Sequence, residues 1–449
     1  MTSQTRSAQP AVLPRLAQAL VQSFQQPDIR KRLMFTLFIL VVFRFVAHVP
    51  IPGVNTDLLK DAFESGNSTG AFLNTLNLFS GGALRNLSVA ALGVYPYITS
   101  SIIIQIMIPI VPTLSALSKE GEQGRNKLQV YTHWMTVPLA VVQGYSQLIV
   151  LENAGAVQNI GFTGEEALPT LSAVISMTAG TMFLVWLGEL ITENGIGNGV
   201  SIIIFSGIVA GLPSLLPNIV SSSVGLAGVG LMFVLVIGLL AAIVFVQEAQ
   251  RRVPVQYARS LFRGGRMYRQ SGATHIPLRV NSAGMIPLIF AYSLVIFPSG
   301  AAQAFQGSGT PWVRNTADFI VNVFTPNQAP YYLLVFVLVV VFTFFYTLVI
   351  FQQQNLAENL QKQGGFIPGI RPGRPTQEYI MRVLVRITWA GAIFLGLVAV
   401  VPFFVTRLTD VQSLTISSTG LIIVVGVVLD TMRQLEAQLL MRDYGGFIR

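Results

Sequence analysis

Lysine and arginine fill every second gap between ten apolar segments of this chain and are scarce in the gaps between. Arg6, Arg15, Arg30, Lys31 and Arg32 precede the first segment, and Lys119, Arg125 and Lys127 form the next group. Arg251, Arg252, Arg259, Arg263, Arg266, Arg269 and Arg279 make a third group; Lys362, Arg371, Arg374, Arg382 and Arg386 make a fourth. Arg433, Arg442 and Arg449 close the chain, while the intervening gaps hold only Lys60, Arg85, Arg314 and Arg407. Arg44 lies inside the first segment. Short loops rich in Lys and Arg stay on the cytoplasmic side. The alternation therefore predicts a polytopic membrane protein with both termini in the cytoplasm.

Composition agrees. The 449 residues are 52% hydrophobic and 10% charged, with mean hydropathy +0.62, against roughly 25% charged in a soluble domain. Residues 86–118, 194–247, 280–313 and 319–357 carry no charge, and a helix crosses the hydrocarbon with about 20 apolar residues. These runs are continuous rather than alternating, which predicts helices and not a β-barrel. The net charge of +9 says little about nucleic acid, because positive-inside loops already require it. With no cysteine, disulfides, thiol catalysis and Cys-based metal sites are excluded. The N-terminus shows no removable signal peptide. Instead Leu13, Leu16, Ala17, Leu20, Val21 and Phe24 recur at helical spacing, as in an amphipathic helix lying on a membrane surface.

The expected spans are 33–50, 92–112, 128–151, 171–192, 199–214, 227–247, 283–300, 331–354, 381–406 and 413–435. An all-α fold follows, with a cytoplasmic segment over 1–32, a five-helix half over 33–214 and a hinge hairpin over 215–226. A second half covers 227–435 and a cytoplasmic tail 436–449. An odd number of crossings in each half inverts one half relative to the other, an arrangement met in transport folds with a central pathway. The loops 249–280 and 355–380 exceed what a connector needs. Gly364-Gly365, Pro368-Gly369 and Pro372-Gly373 predict rigid turns that present Arg371 and Arg374 at a loop tip. Solvated positive-inside loops and docking surfaces for a large anionic or acidic partner both fit such segments. Residues 76–88 are semi-apolar, too short to span and broken by Gly81-Gly82; they read as a re-entrant loop or as a small helix filling a cavity mouth.

No enzymatic constellation is present in the sequence. His48, His133 and His275 are far apart, and no phosphate-binding Gly-x-x-x-x-Gly-Lys loop occurs. Gly195-Ile196-Gly197-Asn198-Gly199 joins two membrane helices rather than a strand and a helix, and Asn67-Ser68-Thr69 is a common chance match to a glycosylation sequon. No metal site or cofactor is expected. Arg44, Glu189 and Asp430 lie near span ends, whereas ion-coupled transporters bury ionisable groups near the midplane. Val94 and Ile98 share a helix face, as do Val200 and Ile204. On periodicity alone, packing in an apolar core is the first explanation of these pairs. A hydrophobic constriction that blocks ions by dewetting is the second.

Several longer motifs are more specific. Ile51-Pro52-Gly53, Phe79 to Leu84, Ala91 to Ile98 and Ile191 to Gly199 are joined by Gln250-Arg251-Arg252 and His275 to Asn281. Pro368 to Gly373 and Arg442 to Phe447 complete the set. With these motifs the chain resembles, along essentially its whole length, the SecY family of central channel subunits in bacterial and plastid-type protein translocases.

The resemblance implies a clamshell of two inverted halves around an hourglass channel that conducts unfolded polypeptide and releases apolar segments sideways into lipid. It places a constriction ring on Val94, Ile98, Val200, Ile204, Ile289 and Ile423, two of them valine where isoleucine is frequent. It assigns a plug to residues 76–88, with Phe79, Ser80, Gly81, Gly82, Ala83, Leu84 and Arg85 at its centre. It places a lateral gate between spans 2 and 3 on one side and 7 and 8 on the other, with Gln105, Thr136 and Asn281 as gate residues. Arg251, Arg252, Arg371 and Arg374 become docking residues for a SecA-type motor ATPase or for the phosphates of ribosomal RNA. SecE-type and SecG-type small subunits, signal sequences, unfolded polypeptide and membrane lipid are the other implied partners. A bacterial plasma membrane or a thylakoid membrane would suit the chain. A secondary transporter of a small solute and a lipid-directed membrane enzyme are the rivals; each needs a cluster of polar groups that the sequence does not assemble.

Overall fold

Ten long helices match the ten apolar segments in order. A computed structural model describes residues 26–51, 59, 63, 68–153, 155–157, 160–161, 164–221, 226–263, 266–306, 309–324, 329–354, 356–409 and 413–445. The first half comprises α1 (Pro27–Val46), α3 (Tyr95–Met107), α5 (Glu122–Asn153), α6 (Ala167–Asn194) and α7 (Gly199–Ser221). The second comprises α8 (Leu226–Glu248), α9 (Ile286–Phe305), α11 (Ala329–Gln354), α13 (Arg374–Thr409) and α14 (Ser413–Gly445). Shorter helices intervene: α2 (Ser68–Phe79), α4 (Pro112–Lys119), α10 (Pro311–Phe324) and α12 (Leu356–Lys362). The amphipathic stripe expected over residues 13–24 lies outside the described residues.

Helix ends follow proline and glycine rather than hydropathy. Pro27 at the first turn starts α1 six residues before the expected span. Pro109, which has no amide hydrogen to donate, ends α3 well short of residue 112. The next helix, α4, turns away from α3 by 99°. The hairpin expected over 215–226 is corrected: α7 continues to Ser221 and α8 begins at Leu226. Backbone groups at membrane depth need partners within the segment, so the helices persist through Gly and Pro that would end them in water. The tail expected from residue 436 is likewise helical as far as Gly445.

One element was not foreseen. Residues 249–280 form an antiparallel ribbon of β1 (Gln250–Arg263) and β2 (Arg266–Arg279), in register from Gln250↔Arg279 to Arg263↔Arg266. A short strand β3 (Gly365–Phe366) from the other long loop pairs with β1 at Tyr257 and Gln256. Val253 and Val255 point to one face, as the two-residue period of a strand requires, and are buried with Leu278, Phe351, Leu360, Ile367, Ile380 and Leu384. The ribbon is thereby rooted on α11, α12 and α13. All ten crossings, α11 and α13 included, contribute to one apolar cluster that takes residues from both halves.

Candidate functional site: a plugged pathway between two helical halves

On the face opposite the ribbon, the segment after α2 turns back into the body of the protein. Gly81 and Gly82 adopt left-handed backbone (φ 70° and 86°), a region open to glycine at little cost. The turn is stitched internally. The Gly82 amide donates to the Asn77 carbonyl at 2.9 Å, the Leu84 amide to Ser80 Oγ at 3.2 Å and the Arg85 amide to Asn77 Oδ1 at 3.2 Å. It is also stitched to the chain after α1: the Ile51 amide donates to the Leu87 carbonyl and the Val89 amide to the Val49 carbonyl, both at 3.0 Å. Ala83, Leu84 and Leu87 are fully buried. Most of α2 rests against α7, α9 and α14.

Two features lock this segment in place. A Cβ added to Gly207 on α7 would fall 2.0 Å from the Cα of Gly81, so the two backbones are in direct contact. Arg44 reaches the same spot from α1. Its guanidinium donates to the carbonyls of Gly81 at 3.1 Å and Gly207 at 3.3 Å, and to that of Ser206. One charged fork thus ties α1, the Gly81 turn and α7 together.

The large apolar core that takes in Leu84 also holds aliphatic side chains from four helices and the residue before α3. Val94, Ile98, Ile204, Ile289 and Ile423 are each at most 6% exposed and belong to the same buried cluster as Leu84. Val200 is half-buried against that cluster.

To one side, α3 and α5 meet α9 along a seam. Two hydrogen bonds cross it: Tyr95 Oη donates to the Ser293 carbonyl at 3.1 Å, and Ser146 Oγ to the Gly300 carbonyl at 3.2 Å. A cavity of about 70 Å³ opens between them, lined among others by Leu76, Tyr95, Gln143, Ser146, Gln147 and Ile296. Gln143 Oε1 and Gln147 Nε2 are buried there without a hydrogen-bond partner among the described residues.

On the ribbon face Arg251, Arg252, Arg371 and Arg374 are all exposed. The β1–β3 pairing draws the two arginine-bearing loops into one sheet.

Comparison with known proteins fits this geometry. The family model described as SecY matches residues 88–432. The chain belongs to the SecY family. The protein translocase subunit SecY of Streptomyces scabiei is 43% identical over 442 residues, covering 96% of this chain and 99% of that one. Its counterpart in Halalkalibacterium halodurans is 44% identical over 444 residues, covering 95% and 98%. Among solved structures, a protein-conducting channel superposes with TM-score 0.62 at 15% identity, over 92% of this chain and 93% of that one. A SecY structure reported for the role of its plug domain in stabilising the closed channel gives 0.61 at 16%, over 91% and 92%. A Sec61 channel in a canine ribosome complex gives 0.60 at 16%. The ten-helix membrane fold expected from sequence is therefore the fold of this SecY-family chain.

Several residues singled out from sequence sit differently from expectation. Gln105 donates only to Ser101 Oγ one turn away, Thr136 to the Thr132 carbonyl, and Asn281 Nδ2 to the Gly284 carbonyl. None of the three bonds across the α3/α5–α9 seam among the described residues. Of the two helices expected on the far side, α9 meets α3 and α5, whereas α11 packs on α9 and α13. Arg374 is the first residue of α13 rather than a loop-tip residue, and the Arg371 carbonyl accepts from Thr376 Oγ1 at 2.8 Å. Tyr95, Ser146, Gln143, Gln147 and Arg44 are the polar residues that sequence reasoning did not place at the seam and the Gly81 turn. Arg44 carried a signal, being a charge inside an apolar span.

Proposed function

We propose that this SecY-family chain is a passive, gated conduit for unfolded polypeptide, closed at rest by its aliphatic ring and plug. The observation that carries the reading is the burial of Leu84 in the same apolar core as Val94, Ile98, Ile204, Ile289 and Ile423, with the Gly81 turn held against Gly207 of α7. Methyl groups suit a seal of this kind: they exclude water and ions, yet they offer a passing chain no lasting hydrogen bond.

The seam between α3/α5 and α9 serves as the lateral gate. Two hydrogen bonds cross it, each contributing about 1 kcal/mol net. Gln143 Oε1 and Gln147 Nε2, which lack partners among the described residues, lower the penalty of parting the helices, since water or a guest helix gives these atoms the partners they lack. A signal sequence that binds between these helices shifts the closed–open equilibrium by its differential affinity. Gln105, Thr136 and Asn281 shape the gate helices without latching them.

The ribbon face, which carries the long arginine-rich loops, faces the cytoplasm of a bacterial cell, the side to which the sequence assigns 23 of the 28 basic residues and both termini. Arg251, Arg252, Arg371 and Arg374 form the docking surface for a driving partner, a SecA-type motor or a ribosome. Neighbours of the same fold are described in ribosome complexes. SecE-type and SecG-type subunits complete the assembly in the membrane.

The absence of cysteine makes the test direct. A single cysteine at Ile204 should crosslink to a stalled secretory chain carrying a thiol-reactive probe only when a signal sequence is present. A separate cysteine at Leu84, buried at rest, should become reactive to a water-soluble thiol reagent at the same moment. No crosslink at Ile204 in a complex shown to be exporting would remove the ring from the pathway.

A further inference from the structure

The helix α10, between α9 and α11 on the plug face, has two apolar faces and a single polar flank. One apolar face is spent on packing: Ala317 and Val321 are buried against Ala302 of α9. The Gln306 side chain fastens the same pair of helices by donating to Asp318 Oδ1 at 2.9 Å. The opposite face, on the helical wheel about half a turn away, carries Trp312 and Phe319, which are 76% and 69% exposed. Arg314, Asn315 and Asn322 occupy a flank between the two and are exposed as well.

We infer that α10 lies in the membrane–water interface of the leaflet on the plug face, with Trp312 and Phe319 inserted among the lipids. Three observations select a lipid surface over other occupants. Exposed apolar side chains also stand on both neighbouring helices, Phe297 and Phe305 on α9 and Leu333 on α11. The flank gives the helix a wet side carrying a cation for headgroup phosphate, the pattern of a helix lying in the interface plane about 5–10 Å into the headgroup boundary. The most exposed apolar side chain is an indole, which prefers that depth because one edge is apolar and its N–H donates. By anchoring α10, the lipid surface holds the far end of α9 in register with the bilayer. The placement requires only that the chain is embedded in a membrane; opening of the α3/α5 seam plays no part in it.

The test uses tryptophan fluorescence of the full chain, co-purified with its membrane subunits and reconstituted in vesicles. Trp134, Trp186 and Trp389 are replaced by Phe, which leaves Trp312 as the sole indole of this chain, and any tryptophan of the co-purified subunits is replaced as well. We expect blue-shifted emission, quenched strongly by phosphatidylcholine brominated near the headgroup end of its acyl chains and weakly by lipid brominated near the chain end. Emission at the wavelength of a water-exposed indole, quenched by iodide and not by brominated lipid, would overturn the inference. So would quenching seen for the chain alone but abolished by its subunits, because a protein partner would then cover the face. Phe319→Glu places a charge in the stripe and leaves Ala317 and Val321 packed. It should red-shift Trp312, and an unchanged spectrum would also count against lipid insertion.

Discussion

The phenol of Tyr95 on α3 donates a hydrogen bond to the backbone carbonyl of Ser293 on α9 over 3.1 Å, and both residues are buried. This bond joins a helix of the first half to one of the second, at the edge of the cavity lined by Gln143 and Gln147, whose Oε1 and Nε2 respectively lack a hydrogen-bond partner among the described residues.

Tyr95→Phe keeps the ring and removes the latch. The Ser293 carbonyl keeps its partner within the helix, so the closed state should lose about 1 kcal/mol, roughly a fivefold shift toward the open seam. Resting ion conductance of reconstituted vesicles should rise accordingly, with export retained. Conductance equal to that of the parent would mean that this bond does not hold the gate.

Gly207→Ala should unseat the plug turn. The new methyl would lie 2.0 Å from the Cα of Gly81, a distance no side-chain adjustment relieves. Gly211→Ala, one turn along α7, meets nothing within 4 Å and serves as the control. Vesicles carrying the first variant should leak at rest and those carrying the second should not.

Arg44→Lys retains the charge but not the fork that reaches the carbonyls of Gly81, Ser206 and Gly207. A single ammonium cannot reproduce that geometry, so thermal stability in detergent should fall, by about 2 kcal/mol. Arg44→Leu should lower it further. A lysine variant as stable as the parent would show that charge alone suffices there.

Ile204→Asn puts an amide into the aliphatic ring, where Ile204 is 1% exposed. Hydration of that amide weakens the dewetted seal, and resting vesicles should conduct ions. Tight vesicles would place Ile204 outside the constriction.

Arg371→Glu reverses charge at an exposed turn and disturbs no buried contact. Export should be abolished while membrane insertion and fold persist. Unchanged export by purified vesicles would dissociate this turn from partner docking.

The crossings were legible from sequence because burial in lipid needs long apolar runs, and α5, α6 and α11 show them plainly. The segment around Gly81 was legible as an interruption, since two adjacent glycines break an apolar stretch that is too short to span. The sheet was not. Only Val253 and Val255 mark the strand period at the root of the ribbon, and seven arginines over 249–280 read first as a solvated loop. Pairing of β3 with β1 joins residues more than a hundred positions apart, and no local pattern encodes it. The bonds across the seam were not legible for a related reason. Gln105, Thr136 and Asn281 are polar side chains that helices and turns satisfy locally. Tyr95 reads as part of an apolar motif until its hydroxyl is seen to reach another helix.

The root of the ribbon has a mechanical consequence. Its buried partners, Phe351, Leu360, Ile367, Ile380 and Leu384, all belong to the second half, as do the strands themselves. Whatever grips the ribbon therefore takes hold of one jaw only. A load applied there is passed to α11 and α13 as if through a handle, and the other jaw, with α1, α3 and α5, is left as the part that swings.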